Sequence, residues 1–290
     1  MSGNLTWRVL LNRHYLAFGL FRVYKRIYQK VMLARNGRLT TLLILGCQRS
    51  GTSLMYWIFE RDLNTRIYRE SSNLSSQDRP LRLRLDPLPE VRAKIERHNA
   101  PLVVLKPLVE SQNAHQLLAA LPDARALWMY RHYRAVAVSN LKAFGERNGI
   151  NDLRPIVQNE PGNWRAEGVS AETRATIARF FAEDMPPLDA AALFWWARNR
   201  LFFELGLDME PRVRLCRYEA LGQQPAMVMR EIYAFVNRPY PGDHIVRDVH
   251  PRAIQRGNTA VLSPEVEALC ADLLVRLDRV YEQIGRYEQA

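Results

Sequence analysis

Long apolar runs, paired cysteines and N-terminal acids are what this 290-residue chain lacks. No run of about 18 apolar residues occurs, so no membrane-spanning helix is expected. The first residues also lack the apolar core and small-residue cleavage site of a signal peptide. The three cysteines, Cys47, Cys216 and Cys270, are odd in number and widely spaced, without a C-x-x-C pair. That argues against a disulfide framework and a zinc site, and for a reducing, cytoplasmic compartment. Residues 1–59 contain no Asp or Glu but nine Lys or Arg, whereas the remainder holds 32 bases against 30 acids. The net charge of +11 therefore belongs mostly to an N-terminal arm. A basic arm without a recognisable module is a poor indication of nucleic-acid binding, and none is expected.

What is present is ample apolar content, 48% of the residues, enough to bury the core of one large domain. The expected division is a basic amphipathic helical arm over 1–40 followed by a single α/β domain over 41–290. In the arm, Leu16, Leu20, Val23, Ile27 and Val31 recur at helical spacing, with Arg22, Lys25, Arg26 and Lys30 between them. Two readings fit. Residues 1–35 form a helix lying peripherally on the anionic inner membrane surface, or they form a packing or homodimer helix whose bases face water.

Five apolar runs read as strands, at Thr41–Leu45, Thr65–Tyr68, Leu102–Leu105, Ala124–Tyr130 and Arg212–Cys216. Helical patterns follow at Thr52–Arg61, Ser111–Leu121, Arg134–Phe144, Glu172–Ala182, Ala190–Leu205 and Pro225–Val236. The alternation predicts an α/β fold with a parallel sheet of about five strands covered on both faces. A final helix is expected from Pro264, capped by Ser263, with Val266, Leu269, Leu273, Leu277, Val280 and Ile284 as its core stripe. The stretch 145–188, rich in Asn, Pro, Gly and Glu around Trp164, interrupts the rhythm. It reads as an insertion that covers the sheet edge and binds an acceptor.

The densest chemistry lies at Leu42-Leu43-Ile44-Leu45-Gly46-Cys47-Gln48-Arg49-Ser50-Gly51-Thr52-Ser53-Leu54. A strand, a glycine-bounded loop and a helix in that order gather backbone N–H groups around an anion at a helix N-terminus. Gly46 and Gly51 keep the spacing of a Walker A loop, but Thr52 stands where a nucleotide hydrolase carries Lys. In open α/β sheets ligands bind beyond the carboxyl ends of the strands. Four of the five ends lead to a cation, namely Arg49, Lys106, Arg131 and Arg217, and the second ends in Arg69-Glu70. This set suits a polyanion neutralised without metal, with one carboxylate available as a base.

The segment Leu42–Leu54 resembles the 5′-phosphosulfate loop of sulfotransferases that use 3′-phosphoadenosine 5′-phosphosulfate (PAPS). Lys106-Pro107, the run Leu121-Pro122-Asp123-Ala124-Arg125, and Arg131 through Ser139 resemble the segment leading to that family's 3′-phosphate site. Arg217-Tyr218-Glu219-Ala220-Leu221 is similar to its Arg-Tyr-Glu-Asp-Leu stretch. The resemblance implies a P-loop-like sulfotransferase fold and a PAPS donor, with 3′,5′-adenosine bisphosphate (PAP) as product and no metal. It implies that Arg49, Ser50, Gly51, Thr52 and Ser53 bind the phosphosulfate and that Arg131 and Ser139 bind the 3′-phosphate. Arg256 and Gly257 are similar to the late basic-glycine element that covers the nucleotide. Glu70 stands where the Golgi and tyrosylprotein types carry their catalytic Glu. Lys106 stands where the cytosolic type would carry its His. Two departures are visible: His132-Tyr133 replaces Asp-Pro after Arg131, and no residue separates Lys106 from Pro107.

The expected activity is in-line transfer of a sulfuryl group to an acceptor hydroxyl, an amine being the second choice. Glu70 would act as base, and Lys106 and Arg49 would stabilise charge. The acceptor, whether carbohydrate, lipid, protein tyrosine or small alcohol, is left open. A P-loop kinase or NTPase, and a non-catalytic membrane-surface protein with a vestigial nucleotide fold, are the competing readings.

Overall fold

The computed structural model describes residues 13–33, 38–75, 83–249 and 260–287. Five parallel strands form one sheet: β1 (Thr40–Gly46), β2 (Thr65–Tyr68), β3 (Leu102–Leu105), β4 (Ala124–Tyr130) and β5 (Val213–Arg217). Their order across the sheet is β2-β3-β1-β4-β5, so β1 is central and its carboxyl end sits where the winding reverses. Leu43 pairs with Leu105 on one side and Ala126 on the other. Strands buried on both faces need apolar residues at every position, not at alternate ones. In β1, Leu43 and Leu45 join one core with Val103, Leu105, Trp128 and Tyr130. Leu42 and Ile44 join the other with Leu102, Val104, Leu127 and Met129. The five predicted strands are all present, with ends displaced by one residue at β1 and β5.

The described helices are α1 (Arg13–Val31), α2 (Thr52–Glu60), α3 (Leu88–Ile95), α4 (Ala114–Ala120), α5 (Tyr133–Phe144), α6 (Asn148–Gln158), α7 (Ala171–Phe180), α8 (Pro187–Glu204), α9 (Tyr218–Gln223), α10 (Pro225–Phe235) and α11 (Pro264–Tyr287). The expected helix 111–121 is instead a 3₁₀ segment, Leu108–Asn113, running into α4. Side chains take the local carbonyls there: Ser111 Oγ donates to Leu108 O at 2.8 Å and Gln112 Nε2 to Val109 O at 2.7 Å. Ser263 is tied sideways rather than serving as a simple cap. Its N–H and hydroxyl both donate to the buried carboxylate of Asp189, in the first turn of α8. Residues 145–188 hold α6 and α7. Ile150, Leu153, Ile156 and Ile177 are buried in the same core as Trp195 and Phe202 of α8.

Helix α1 docks in the opposite sense to a packing helix. Lys25, in the middle of its inward face, is 5% exposed. Its ammonium donates to Glu60 O at 2.7 Å, to Thr65 Oγ1 at 3.1 Å and to Phe59 O at 3.5 Å. These carbonyls end α2, where a helix has no partners of its own and its dipole favours a cation. Gln29 adds bonds to Leu63 O and Thr65 O, and Arg22 pairs with Glu60 at 2.7 Å. Leu20, Val23, Ile27 and Val31 of the predicted stripe therefore lie outward and exposed.

Candidate active site

The loop after β1 adopts a shape that only certain residues allow. Gly46 has φ 112°, and a Cβ there would sit 2.4 Å from Met129 O of the neighbouring strand. Gly51 has φ 90°, and its Cβ would fall 2.2 Å from the Tyr218 ring. Arg49, though not glycine, also lies in the left-handed region at φ 67°. Such a residue costs about 1–3 kcal/mol, and that strain concentrates at functional sites. Ser111 Oγ accepts from Gly46 N at 3.0 Å and fixes the loop's entry. The exit opens directly into α2, whose N-terminal end has no side-chain cap. Ser50 Oγ is fully buried and has no hydrogen-bond partner among the described residues. An uncapped helix end over a strained loop with an orphaned hydroxyl fits an anionic ligand.

Two adjacent strand ends bring a carboxylate and a lysine together. The backbone of Lys106 continues the ladder onto Tyr68 O at 3.1 Å, which sets the residues following β3 and β2 side by side. Lys106 Nζ then lies 3.8 Å from Glu70 Oε2 and 3.3 Å from Ser53 Oγ in the first turn of α2. Burial raises the Glu70 carboxyl above its ordinary range, and the Lys106 ammonium partly offsets this. Burial lowers Lys106, aided by Arg69 and Arg49 and opposed by Glu70. Both groups are thus drawn toward neutrality, the tuning expected of an acid–base site.

Glu70, Lys106, Arg49, Thr52 and Ser53 line one cavity of about 300 Å³. Its far wall is Phe144, Asn148, Asp152, Trp164, Arg165 and Arg198, residues not singled out as site residues from the sequence apart from Trp164. Arg198 was the most visible of them, a base directly after the apolar run Ala190–Ala197 and within the helical pattern Ala190–Leu205. It is 1% exposed, donates to Gln112 Oε1 at 3.2 Å and lies 5.2 Å from the Trp164 ring centre. Asp152 gave no such sign. It accepts from Gln48, Asn148 and Arg165 and so ties α6 to the loop. A second cavity, about 350 Å³, opens on the other side of Glu70 and Lys106 between Tyr56, Trp57 and Arg69.

Arg131 and Ser139 are separate from the cavity wall but joined to the loop. Arg49 Nε donates to Ser139 Oγ at 3.0 Å, and the Arg131 guanidinium lies 4.3 Å over the Tyr218 ring that packs on Gly51. His132, standing where the resembling family carries Asp, does the work of a cap. Its Nδ1 accepts from Arg134 N at 3.3 Å, and its own N–H donates to Glu219 Oε1 at 3.1 Å. Burial lowers its pKa, which keeps the accepting ring neutral. Arg217 is not delivered to the cavity: it pairs with Asp278 at 3.5 Å and Glu219 at 3.7 Å. Arg256 and Gly257 lie outside the described residues. No cluster of His, Cys, Asp or Glu suited to a metal ion occurs among the described residues.

The sulfotransferase-domain profile matches residues 39–256, three quarters of the chain and the whole of the loop, Glu70–Lys106 and Arg131–Ser139 set. The chain belongs to the sulfotransferase family. Among solved structures, the sulfotransferase domain from the curacin biosynthetic pathway is similar at TM-score 0.52 and 14% identity, over 84% of this chain and 99% of that one. A sulfotransferase from Alicyclobacillus acidocaldarius aligns at TM-score 0.48 and 18% identity, over 83% and 95% of the two chains. The first likeness supports the fold alone. No curated protein sequence matches the chain. As a sulfotransferase, the protein presents its glycine-bounded loop, half-buried Glu70 and Lys106 at the carboxyl edge of the sheet, where open α/β sheets bind ligands.

Proposed function

We propose that this sulfotransferase moves the sulfuryl group of PAPS to an acceptor hydroxyl, with Glu70 as general base. The observation that carries the reading is the Glu70–Lys106 pair at 3.8 Å, facing the uncapped N-terminus of α2. Ser50 Oγ, Thr52, Ser53 and the backbone N–H groups of the loop would hold the phosphosulfate end. Arg131 and Ser139 would hold the 3′-phosphate, with Arg49 bonded to Ser139 as the bridge between the two subsites.

Glu70 takes the acceptor proton as the acceptor oxygen forms its bond to sulfur. The bond from sulfur to the bridging phosphate oxygen breaks, and PAP leaves with that electron pair. Lys106 and Arg49 neutralise charge growing on the bridging and equatorial oxygens. Among the described residues the carboxylate beside Lys106 is Glu70 and no histidine lines either cavity, which favours the Glu-base type over the His-base type. Trp164, Phe144 and Phe194 give the acceptor side an aromatic wall, suited to an organic alcohol.

The test is turnover of PAPS with an acceptor panel by wild type and Glu70→Gln. We expect kcat to fall about 10²–10⁴-fold in the variant with PAP affinity unchanged. Undiminished turnover in Glu70→Gln would remove the base assignment while leaving the donor site standing.

A further inference from the structure

The outward face of α1 carries a group of strongly exposed apolar side chains. Leu20, Ile27 and Val31 are 70%, 58% and 70% exposed, and Val23, Tyr24 and Met32 are all more than half exposed. Leu20, Val23, Tyr24, Ile27 and Val31 fall on one side of the helix, at intervals of three and four, and Met32 follows its last residue. The opposite side is already used: Lys25 and Gln29 are locked onto the end of α2, and Arg22 onto Glu60. The helix is therefore held by its polar side, and its apolar side has no partner among the described residues. Isolated exposed leucines need no explanation, but a continuous stripe of five does.

Charge identifies the partner. Arg26 and Lys30 are exposed beside the stripe, and no acidic residue precedes Glu60. In a two-fold dimer through this face the helix would meet its own copy, setting bases opposite bases with no carboxylate of the arm between them. A surface rich in phosphate accepts both features: apolar side chains enter below the headgroups and bases meet the phosphates. Phe18 packs 5.2 Å from Trp57, which lines the cavity beside Glu70 and Lys106.

We propose that α1 is a peripheral membrane-docking helix, fixed to the domain by Lys25, Gln29 and Arg22, that seats the protein on an anionic lipid surface through Leu20, Val23, Ile27 and Val31. The proposal goes beyond the donor and base assignments and does not depend on them. The experiment is vesicle co-sedimentation of the full chain, comparing pure phosphatidylcholine with equimolar phosphatidylcholine and phosphatidylglycerol. Wild type is expected to bind the anionic vesicles and to be released as salt rises. Ile27→Gln with Val31→Gln should weaken binding roughly tenfold or more. Arg26→Gln and Lys30→Gln should weaken it about fivefold each. These positions are exposed, so circular dichroism and PAP binding should match wild type in every variant. Absence of binding to the anionic vesicles, or binding indifferent to Ile27→Gln/Val31→Gln, overturns the proposal. So does a wild-type dimer, seen by analytical ultracentrifugation, that the same double substitution dissociates. A chain that fails to bind PAP yet binds vesicles as expected would instead count against the donor assignment alone.

Discussion

Glu70 sits between two opposed influences, burial that favours its neutral form and an ammonium 3.8 Å away that favours its charged form. The proposed mechanism needs Glu70 ionised and Lys106 protonated. The pH profile of kcat/KM should accordingly be bell-shaped, its acid limb above the ordinary carboxylate range and its alkaline limb below the ordinary lysine value of 10.5. Lys106→Met removes the influence that lowers Glu70, so the residual activity of that variant should show an acid limb shifted further upward. An acid limb that stays put or moves down in Lys106→Met would show that the two groups are uncoupled.

The strand–loop–helix element rests on two glycines, and Gly51 is the more constrained in function because Tyr218 closes over it. Gly51→Ala meets both a left-handed φ and a ring carbon 2.2 Å from the new methyl. A loss of about 1–3 kcal/mol follows, lowering Tm by several degrees, and PAP binding should weaken because the ring also supports Arg131. Differential scanning calorimetry and titration calorimetry read the two effects; a variant with wild-type Tm would mean that the loop relaxes freely. At α1 the decisive group is Lys25, whose pKa burial pushes down to about 8. Lys25→Ala removes its bonds to Glu60 O, Thr65 Oγ1 and Phe59 O, so limited proteolysis should cut within residues 18–33 faster than in wild type. Equal cutting rates would show that Lys25 does not hold the helix.

This element also shows what was legible beforehand. Gly46, Gly51 and the apolar run before them announced both the loop and the central strand, because backbone geometry and two-sided burial each demand a narrow choice of residues. The facing of α1 was not legible. Periodicity reports that a helix has an apolar side but not which side the domain takes, and here Lys25 found better partners in the carbonyls of α2 than Ile27 found in any core. The far wall of the Glu70–Lys106 cavity was equally hidden. Asp152 and Arg165 lie more than 80 residues from Glu70 in sequence, and only the packing of α6 on α8 brings them to the same cavity.

For the whole molecule, the parallel sheet brings Arg49, Lys106 and Arg131 together from three strand ends, while Arg217 from a fourth is neutralised by Asp278 and Glu219. The excess charge of the chain lies elsewhere, on the arm, and the two proposals assign the strand ends to a small polyanion and the arm to an anionic surface. The central claim is that the loop and the Arg131–Ser139 pair form the two ends of one PAPS site. Titration calorimetry of the wild-type protein with PAP and with adenosine 5′-monophosphate, which lacks the 3′-phosphate, tests it most directly. PAP should bind at least about tenfold more tightly, the worth of one charge-assisted contact, and Arg131→Ala should erase that preference. Equal affinity for the two nucleotides, or a preference that survives Arg131→Ala, would contradict the account.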